Sequence, residues 1–433
     1  MKPWKTSPDR ASILLAAALL LAPALACKGR SQEPGTGASS RDARPAEILS
    51  WRHQMLAKER YAQLAGEWES YSRNHPEDVR ALIEWGDALR YSGGRDAAIE
   101  KYRRAYESGK DDPAAIAAFM ASEVANRGAE LDWAHSHQEL LRAARLDPDL
   151  PDTYYTLWLT SLHERDPKSA AVSLRRVVEL GDMPQPLLDY AFDMLAGAPR
   201  GAIIFTNGDN DTYPPNALQA VEGIRSDVRI VNISLLNTTW YIRLMRDSGV
   251  PIDLDDAAVD TLEHRPNELI SAQVQKRILE KLRAEASAPP LFYSITVPEE
   301  NRSIPGPRVL EGLLERVVAD GSSPGATGGF DLDRTRELFD TVYRIDGFMD
   351  RAIDWNRESS VARLALNFVP LLSRVGTGLL ERSPREDGSS YLERAVRLAV
   401  FLGEKEQAAK LIEEWQGLDP GSTSLEEARR LVQ

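Results

Sequence analysis

Apolar residues recur every three to four positions through the first half of the chain, and this spacing predicts helices. One such pattern runs from residue 46 to 74, where His75 and Pro76 end it. The next runs from Asp78 to Gly109 and contains adjacent glycines at 93 and 94. Adjacent glycines are typical of a turn, so this segment is predicted to form two helices joined by a tight connection.

The two-helix segment has small residues where its helices would meet. Gly86 lies in the first helix. In the second helix, Ala98 and Ala105 occupy positions for small residues, and Tyr102 occupies a position for an aromatic residue. The segment resembles a tetratricopeptide repeat, a unit of about 34 residues. Less regular copies surround it, and the resemblance implies stacked repeats over residues 46–196 that bind a protein partner. The sequence leaves open a helical scaffold without a partner of its own.

The pattern changes to short apolar runs in the middle of the chain. Residues 202–205, 228–233 and 291–297 are each predicted to form a buried strand, with helices between them. Arg308 to Val318 is predicted to form a further helix. Alternating strands and helices imply a small parallel sheet covered by helices, so residues 197–320 are expected to be a three-layer α/β domain.

Polar residues follow the predicted strands, at the edge of the sheet where ligand sites occur. Asp209 and Asp211 could hold Mg²⁺, Mn²⁺ or Ca²⁺ through carboxylate oxygens, and the next helix begins beside them, where a phosphate could bind. Asn and Asp are also common turn residues, and Asp211 could simply cap that helix. The sequence leaves both readings open. The candidate ligand-binding residues are Asn207, Asp209, Asp211, Thr212, Asn232 and Asn237.

Three separated motifs of this domain occur in a familiar order. They are residues 205–214 (FTNGDNDTYP), 219–228 and 232–241 (NISLLNTTWY). The region resembles the soluble C-terminal part of bacterial protein O-mannosyltransferase-like membrane proteins, which use lipid-linked sugars. In that enzyme class the catalytic acid lies on a loop of a membrane-spanning domain, for which this sequence has no counterpart. The resemblance therefore implies an accessory domain, and makes a non-enzymatic protein the expectation over a transferase.

The N-terminus has the pattern of a secretory signal. Three basic residues precede an apolar run over residues 11–22, and small residues lead to Cys27, the only cysteine. This resembles a bacterial lipoprotein signal, which implies a signal peptide over residues 1–26 and a lipid on Cys27. Residues 27–45 are rich in Gly, Ser, Pro and charge, as in a flexible linker. The expected location is the bacterial cell envelope, anchored to a membrane on its periplasmic or outer side.

The C-terminal part returns to helical spacing. Residues 321–330 are predicted to be a Gly/Ser linker, and residues 331–433 to be helices. Ala395, Leu398 and Phe401 precede a turn at Gly403, and a second apolar helix follows. This pair is predicted to be one more tetratricopeptide-like unit.

Composition narrows the functional classes. The 433 residues carry a formal charge of −13, which argues against general nucleic-acid binding. One cysteine excludes a disulfide within the chain and a cysteine-based zinc site. No nucleotide-binding glycine motif is found.

The sequence therefore predicts an α+β multidomain protein that acts as an envelope lipoprotein and a protein-interaction scaffold. It would combine tetratricopeptide-like repeats, a small parallel α/β domain and a C-terminal helical region. No cofactor is predicted firmly. The alternative is a sugar- or phosphate-binding or enzymatic component of surface glycosylation, with a divalent cation held by Asp209 and Asp211.

Overall fold

The computed structural model describes most of the chain beyond the N-terminus. The predicted signal peptide, Cys27 and most of the linker over residues 27–45 lie outside the described residues, as does most of the linker over 321–330. The described residues are 43–127, 130–284, 288–318, 329–350, 352–353, 355–382 and 387–432.

Helices packed in succession form the first part of the described chain, which confirms the tetratricopeptide-like fold. Helices α2, α4 and α6 contact one another in series, and we call them the inner layer. Helices α3 and α5 each pack against both neighbours along the chain, and α7 packs against α6. The bounds are α1 Lys58–Asn74, α2 Val79–Ser92, α3 Arg95–Ser108, α4 Pro113–Arg127, α5 Trp133–Leu146, α6 Pro151–His163, α7 Pro167–Glu179 and α8 Gln185–Gly197.

The predicted small residues of the first clear repeat have the expected roles. A Cβ atom on Gly86 would lie 2.5 Å from the Tyr102 ring, so only glycine allows α2 and α3 to pack this closely. Gly93 has φ of 96°, a left-handed conformation that ends α2 at little steric cost. Local sequence therefore determines both the turn and the close helix contact.

The predicted helix over residues 46–74 is wrong in its first half. Helix α1 begins at Lys58, and residues 46–57, which we call the arm, are not helical. The arm's backbone bonds to distant parts of the chain instead: Ile48 N–H donates to Glu84 (2.7 Å) and Met55 N–H donates to the Glu358 carbonyl (2.5 Å). These long-range partners replace the bonds that a helix would form internally.

A five-stranded sheet of order β2-β1-β3-β5-β4 follows the helices. Strand β1 pairs in parallel with β2 and β3, whereas β5 is antiparallel to β3 and β4. The predicted parallel sheet is therefore correct for three strands, and the complete sheet is mixed. The bounds are β1 Ile203–Thr206, β2 Arg229–Asn232, β3 Leu291–Ser294, β4 Arg308–Glu311 and β5 Leu314–Val317.

The predicted helix from Arg308 to Val318 is wrong, because this segment forms the β4–β5 hairpin. Its apolar spacing also suits a helix, but Gly312 adopts a φ of 61° and turns the chain. The Tyr343 hydroxyl accepts the Leu313 N–H at 2.9 Å and fixes the turn. Pairing β5 with β3 also covers a sheet edge that would otherwise expose unpaired backbone groups.

Helices cover both faces of the sheet. Ile204 and Phe292 point into a large core shared with α9 and the C-terminal helices. Phe205 and Tyr293 point into a second core with α10 and α12. The arrangement is a three-layer α/β unit with helices α9 Asp209–Glu222, α10 Thr239–Asp247, α11 Asp256–Asp260 and α12 Ile270–Arg283.

The C-terminal helices pack on the same large core as α4–α8. Helices α17 and α18 form the predicted closing pair, with Gly403 at φ of 87° in the turn. Within the described ranges, no helix combines the length and apolar character needed to cross a bilayer. The bounds are α13 Leu332–Thr341, α14 Asp346–Met349, α15 Ser360–Ala365, α16 Phe368–Glu381, α17 Ser389–Phe401, α18 Lys405–Leu418 and α19 Thr423–Val432.

A buried carboxyl group lies where α8 meets the C-terminal region. The Asp193 side chain is fully buried, and its two oxygens accept the Arg344 N–H at 2.9 and 3.0 Å. Burial raises the pKa of Asp193 to about 8, more than this backbone bond lowers it. The folded protein therefore favours the protonated form.

We expect Asp193→Asn to make stability less dependent on pH. In the wild type the unfolded chain releases this proton near pH 4 and the folded chain near pH 8, so stability falls as pH rises between them. The free energy of unfolding falls by about 1.4 kcal/mol for each pH unit over which the folded state holds one more proton than the unfolded state. Chemical unfolding of the wild type and the variant at pH 5 and pH 8 tests this prediction. An equal loss of unfolding free energy from pH 5 to pH 8 in both proteins would contradict it.

Candidate functional site

The loops that follow β1, β2 and β3 meet at one edge of the sheet, as their parallel order requires. The Asn301 side chain donates to the Asn207 side chain at 3.3 Å, and the Ser234 hydroxyl donates to the Asn207 carbonyl at 3.3 Å. Thr296, after β3, donates its hydroxyl to Asp211. The polar loops that the sequence places at this edge therefore meet there, and the contacts decide what their side chains do.

Asp211 lies in the first turn of α9 and binds the backbone just before that helix. Its carboxylate accepts the N–H groups of Asn207 and Gly208, both at 2.8 Å, in addition to the Thr296 hydroxyl. The side chain is 3% exposed. Burial raises the pKa of Asp211, while these hydrogen bonds favour its charged form and oppose the shift. Both oxygens are thus used inside the protein.

Thr212 and Asn232 form a buried link between β2 and α9. The Thr212 hydroxyl contacts the Thr206 hydroxyl at 2.8 Å and accepts the Asn232 side-chain N–H at 2.9 Å. The Asn232 side-chain oxygen accepts the Leu235 N–H at 3.0 Å. These hydrogen bonds already engage the polar atoms that would otherwise face a ligand.

Asn237 also binds within the protein. Its side-chain oxygen accepts the Ser271 N–H at 3.0 Å, in the first turn of α12. Its side-chain nitrogen donates to the Ser234 carbonyl at 3.2 Å. Asn237 therefore satisfies a free N–H at the start of a helix.

Asp209 differs from the other candidates because its side chain is exposed. It has no hydrogen bond or ion pair to the residues that the structure describes. Its charge acts on Arg52, Arg90 and Tyr213. Asp209 therefore belongs to a different environment from Asp211.

The predicted site is a turn whose polar side chains, except that of Asp209, are hydrogen-bonded within the protein. Across the described ranges, no group of three or more His, Cys, Asp or Glu side chains is placed to hold a metal ion. The divalent cation on Asp209 and Asp211 stays a prediction from the sequence, and Asp211 would have to exchange its capping bonds to take part.

A second group of polar and aromatic residues, which sequence reasoning missed, surrounds the arm. Arg52 of the arm lies over the Tyr155 ring at 3.9 Å and forms an ion pair with Asp182 at 3.1 Å. The Tyr155 ring meets the Tyr213 ring edge to face, with centroids 5.1 Å apart. The arm thus contacts α6 of the inner layer, which in turn contacts α9 of the sheet domain.

The arm also contacts α2 and the C-terminal region. The Trp51 ring stacks on Tyr91 with centroids 5.0 Å apart, and its carbonyl accepts the Ser360 N–H at 2.8 Å. The Ser360 hydroxyl accepts the Asn210 side-chain N–H at 2.8 Å. These contacts link α2 to the arm, the arm to the first residue of α15, and that residue to α9.

Charged side chains lie near one another beside the arm. Burial raises the pKa of Asp152, and the positive charges of Arg52, Arg80 and Arg90 oppose this effect. Arg90, Asp152 and Asp209 are exposed to solvent. We call the following residues the arm cluster: Asp87, Arg90, Tyr91, Asp152, Tyr155, Asp209 and Tyr213.

The sequence contained a spacing signal for the arm cluster. Asp87 and Tyr91 are four residues apart on α2, as are Asp209 and Tyr213 on α9, so each pair shares a helix face. Asp and Tyr are common residues at this spacing. Only the fold shows that the two helices bring their pairs to the same place.

One part of the chain is similar to a known protein family. Residues 187–285 match the family model described as TMEM260-associated domain 2. TMEM260 is an O-mannosyltransferase-like protein, so the match is consistent with the resemblance seen in the sequence motifs. It covers α8 to α12, including the predicted site and Tyr213.

Two solved structures are similar to parts of this chain at low identity. A crystal structure of MamA has 13% identity and a TM-score of 0.25, covering 44% of this chain and 92% of that one. A structure of Naa15/Naa10 bound to HypK-THB has 13% identity and a TM-score of 0.20, covering 86% of this chain and 58% of that one. No curated protein matches the sequence.

Proposed function

We propose that the protein is a membrane-anchored scaffold of a bacterial envelope, whose inner helical layer binds a protein partner. The single observation that carries this proposal is the succession of packed tetratricopeptide-like helices, in which α2, α4 and α6 form the inner layer. The polar side chains in the loops of the α/β unit are hydrogen-bonded within the protein, which supports an accessory role for that unit.

The lipid anchor can be tested on the full-length chain in a bacterial host. We expect an alkyne-labelled fatty acid to label the wild type and to leave Cys27→Ser unlabelled, because lipidation requires the thiol. The labelled protein should be found with membranes, and the variant should be released after signal cleavage. Equal labelling of both proteins would contradict the anchor at Cys27.

Partner binding can be tested by photo-crosslinking in the native cell. A benzoylphenylalanine in place of Tyr91 probes the inner layer, and one in place of Arg103 on α3 is the matched control. We expect a discrete product of one additional protein from the Tyr91 position and none from Arg103. The same products from both positions, or none from either, would argue against a partner on the inner layer.

The alternative of a sugar or phosphate ligand in surface glycosylation depends on Asp209 and Asp211. Asp211 already accepts three hydrogen bonds, which favours the scaffold. Thermal unfolding with Mg²⁺, Mn²⁺, Ca²⁺ and sugar phosphates separates the two proposals. A ligand at 100 times its dissociation constant adds about 2.7 kcal/mol of stability, and a shift that Asp209→Asn abolishes would favour the alternative.

A further inference from the structure

We propose that the inner layer binds an extended peptide segment in which an aromatic residue is followed by basic residues, and that the arm is its resident occupant. The partner's segment replaces the arm when it binds. This inference rests on the proposed scaffold function and names the kind of segment that the partner presents. The arm itself shows the fit, because it is a non-helical stretch of chain that contacts both α2 and α6.

The aromatic position of this segment is Trp51. Its ring stacks on the Tyr91 ring of α2, with centroids 5.0 Å apart and an angle of 23° between the planes. The Tyr61 ring of α1 also contacts Tyr91, with centroids 5.1 Å apart. Aromatic rings packed in this way attract one another beyond the effect of apolar burial. Helices α1 and α2 therefore provide a support for one aromatic side chain.

The basic positions of the segment are Arg52 and His53, which meet the same carboxylate. Asp182 lies 3.1 Å from the Arg52 guanidinium and 2.9 Å from His53 Nε2. The Arg52 guanidinium also lies over the Tyr155 ring, whose hydroxyl donates to Asp182 at 2.6 Å. The Asp182 side chain is 10% exposed, and its ion-pair partners among the described residues both belong to the arm. Without the arm, Asp182 would be a largely buried charge with no cation, so a segment that replaces the arm must supply one.

The surface also binds the backbone of the arm. The Met55 N–H donates to the Glu358 carbonyl at 2.5 Å, and the Trp51 carbonyl accepts the Ser360 N–H at 2.8 Å. Bonds of this kind do not depend on the side chains of the bound segment, so another extended segment can form them. The surface therefore binds an extended backbone and selects its side chains at the aromatic and basic positions.

The arm lies on the helices and not within their core. Ile48 is the only buried residue of the arm, and the others are half-buried or exposed. The side-chain oxygens of Ser50, in the arm, and Ser359, beside it, are buried without a hydrogen-bond partner among the described residues. A buried hydroxyl without a partner leaves its cost of desolvation unrecovered. Release of the arm removes this cost and leaves α1 packed on α2 and α6 packed on α7.

The test uses the full-length chain in detergent and a fluorescein-labelled peptide with the sequence of residues 44–57. In the wild type the attached arm competes with the peptide, because a tethered segment has a high effective concentration. Trp51→Ala/Arg52→Ala weakens the attached arm. By fluorescence anisotropy we expect this variant to bind the peptide at least about tenfold more tightly than the wild type does. A peptide with the same two substitutions should not bind.

Two further variants of the chain complete the design. Leu49→Ala/Gln54→Ala changes two arm side chains that form no hydrogen bond to the described residues, so it should bind the peptide as the wild type does. Adding Asp182→Asn to Trp51→Ala/Arg52→Ala should remove most of the gain, because the basic residues of the peptide lose their carboxylate. The thermal midpoint of each variant shows that it is folded. Equal binding to the wild type and to Trp51→Ala/Arg52→Ala, or no binding to that variant at millimolar peptide, would overturn the inference.

Hydrogen exchange of the wild type is a second measurement that needs no variant. A releasable arm opens without the helices, so the hydrogen-bonded amides of Ile48 and Met55 should exchange at least about tenfold faster than the internal amides of α2. Equal protection of the arm and α2 would refute the inference, because the arm would then open only together with the helices.

The outcome is separable from the scaffold function. We expect the crosslink from benzoylphenylalanine at position 91 to increase in the Trp51→Ala/Arg52→Ala background, because the arm then covers this position less. An unchanged yield would contradict the inference and leave the scaffold function standing. If neither background gives a crosslinked product, the scaffold function fails, and the peptide titration still decides whether the arm is a releasable occupant.

Discussion

Asp211→Ala is expected to lower the free energy of unfolding by about 3 kcal/mol, since each buried donor left without a partner costs about 1–3 kcal/mol. The substitution removes the acceptor for the N–H groups of Asn207 and Gly208 and for the Thr296 hydroxyl. The bond from the Gly208 N–H is the capping-box bond at the start of α9, so its loss is already part of this figure. Chemical unfolding followed by circular dichroism measures the loss.

Asp209→Ala is the matched control, two residues away in the same helical turn. Its side chain is exposed and makes no hydrogen bond to the described residues, so stability should change by less than about 0.5 kcal/mol. A shared metal site predicts a different result. The two variants would then lose the same cation-dependent stabilisation by Mg²⁺, Mn²⁺ or Ca²⁺, and the capping role would be wrong.

Arg225→Ala is expected to cost a similar amount, about 3 kcal/mol, because hydrogen bonds from a charged group are worth about 1.5–3 kcal/mol each and do not add fully. The guanidinium donates to the carbonyls of Leu195, Ala198 and Pro199 at 2.6–2.9 Å. It is also paired with Asp227, whose pKa it lowers well below the ordinary value. Arg225 thus ties the end of α8 to the start of the sheet.

Two control variants distinguish the effect of the hydrogen-bond geometry of Arg225 from the effect of its charge. Arg225→Lys keeps the charge but loses the planar set of donors, so it should recover only a small part of the stability. Arg229→Ala removes exposed hydrogen bonds to the Ser248 and Ser226 carbonyls and should cost about 1 kcal/mol or less. Equal losses for Arg225→Ala and Arg229→Ala would contradict the role of Arg225 as the link.

These two residues also explain the motifs that resemble the transferase-associated region. Asp211 lies in the first motif, Arg225 in the second, and Asn232 and Asn237 in the third. Each one bonds to backbone or side chains within the α/β unit or at its junction with α8. The motifs therefore describe how this unit folds and how it attaches to the helices before it.

The sequence by itself determined the local structure of this protein. Gly86 beside Tyr102, and the left-handed turn at Gly93, follow from short-range sterics that the residue types already contain. The strands β1 to β3 follow from continuous apolar runs between turn residues. The meeting of Asn207, Asp211 and Asn232 follows from the parallel order of those strands.

Only the tertiary structure decided the features that depend on distant contacts. The arm has helical spacing, yet its backbone bonds to Glu84 and Glu358 rather than to itself. The β4–β5 segment also has helical spacing, but β3 provides an edge that pairs with it. Asp209 and Asp211 look equivalent in the sequence. In the structure the Asp209 side chain is exposed, whereas the Asp211 side chain is buried and accepts hydrogen bonds at the start of α9. Such contacts join residues far apart in the chain, so no local pattern records them.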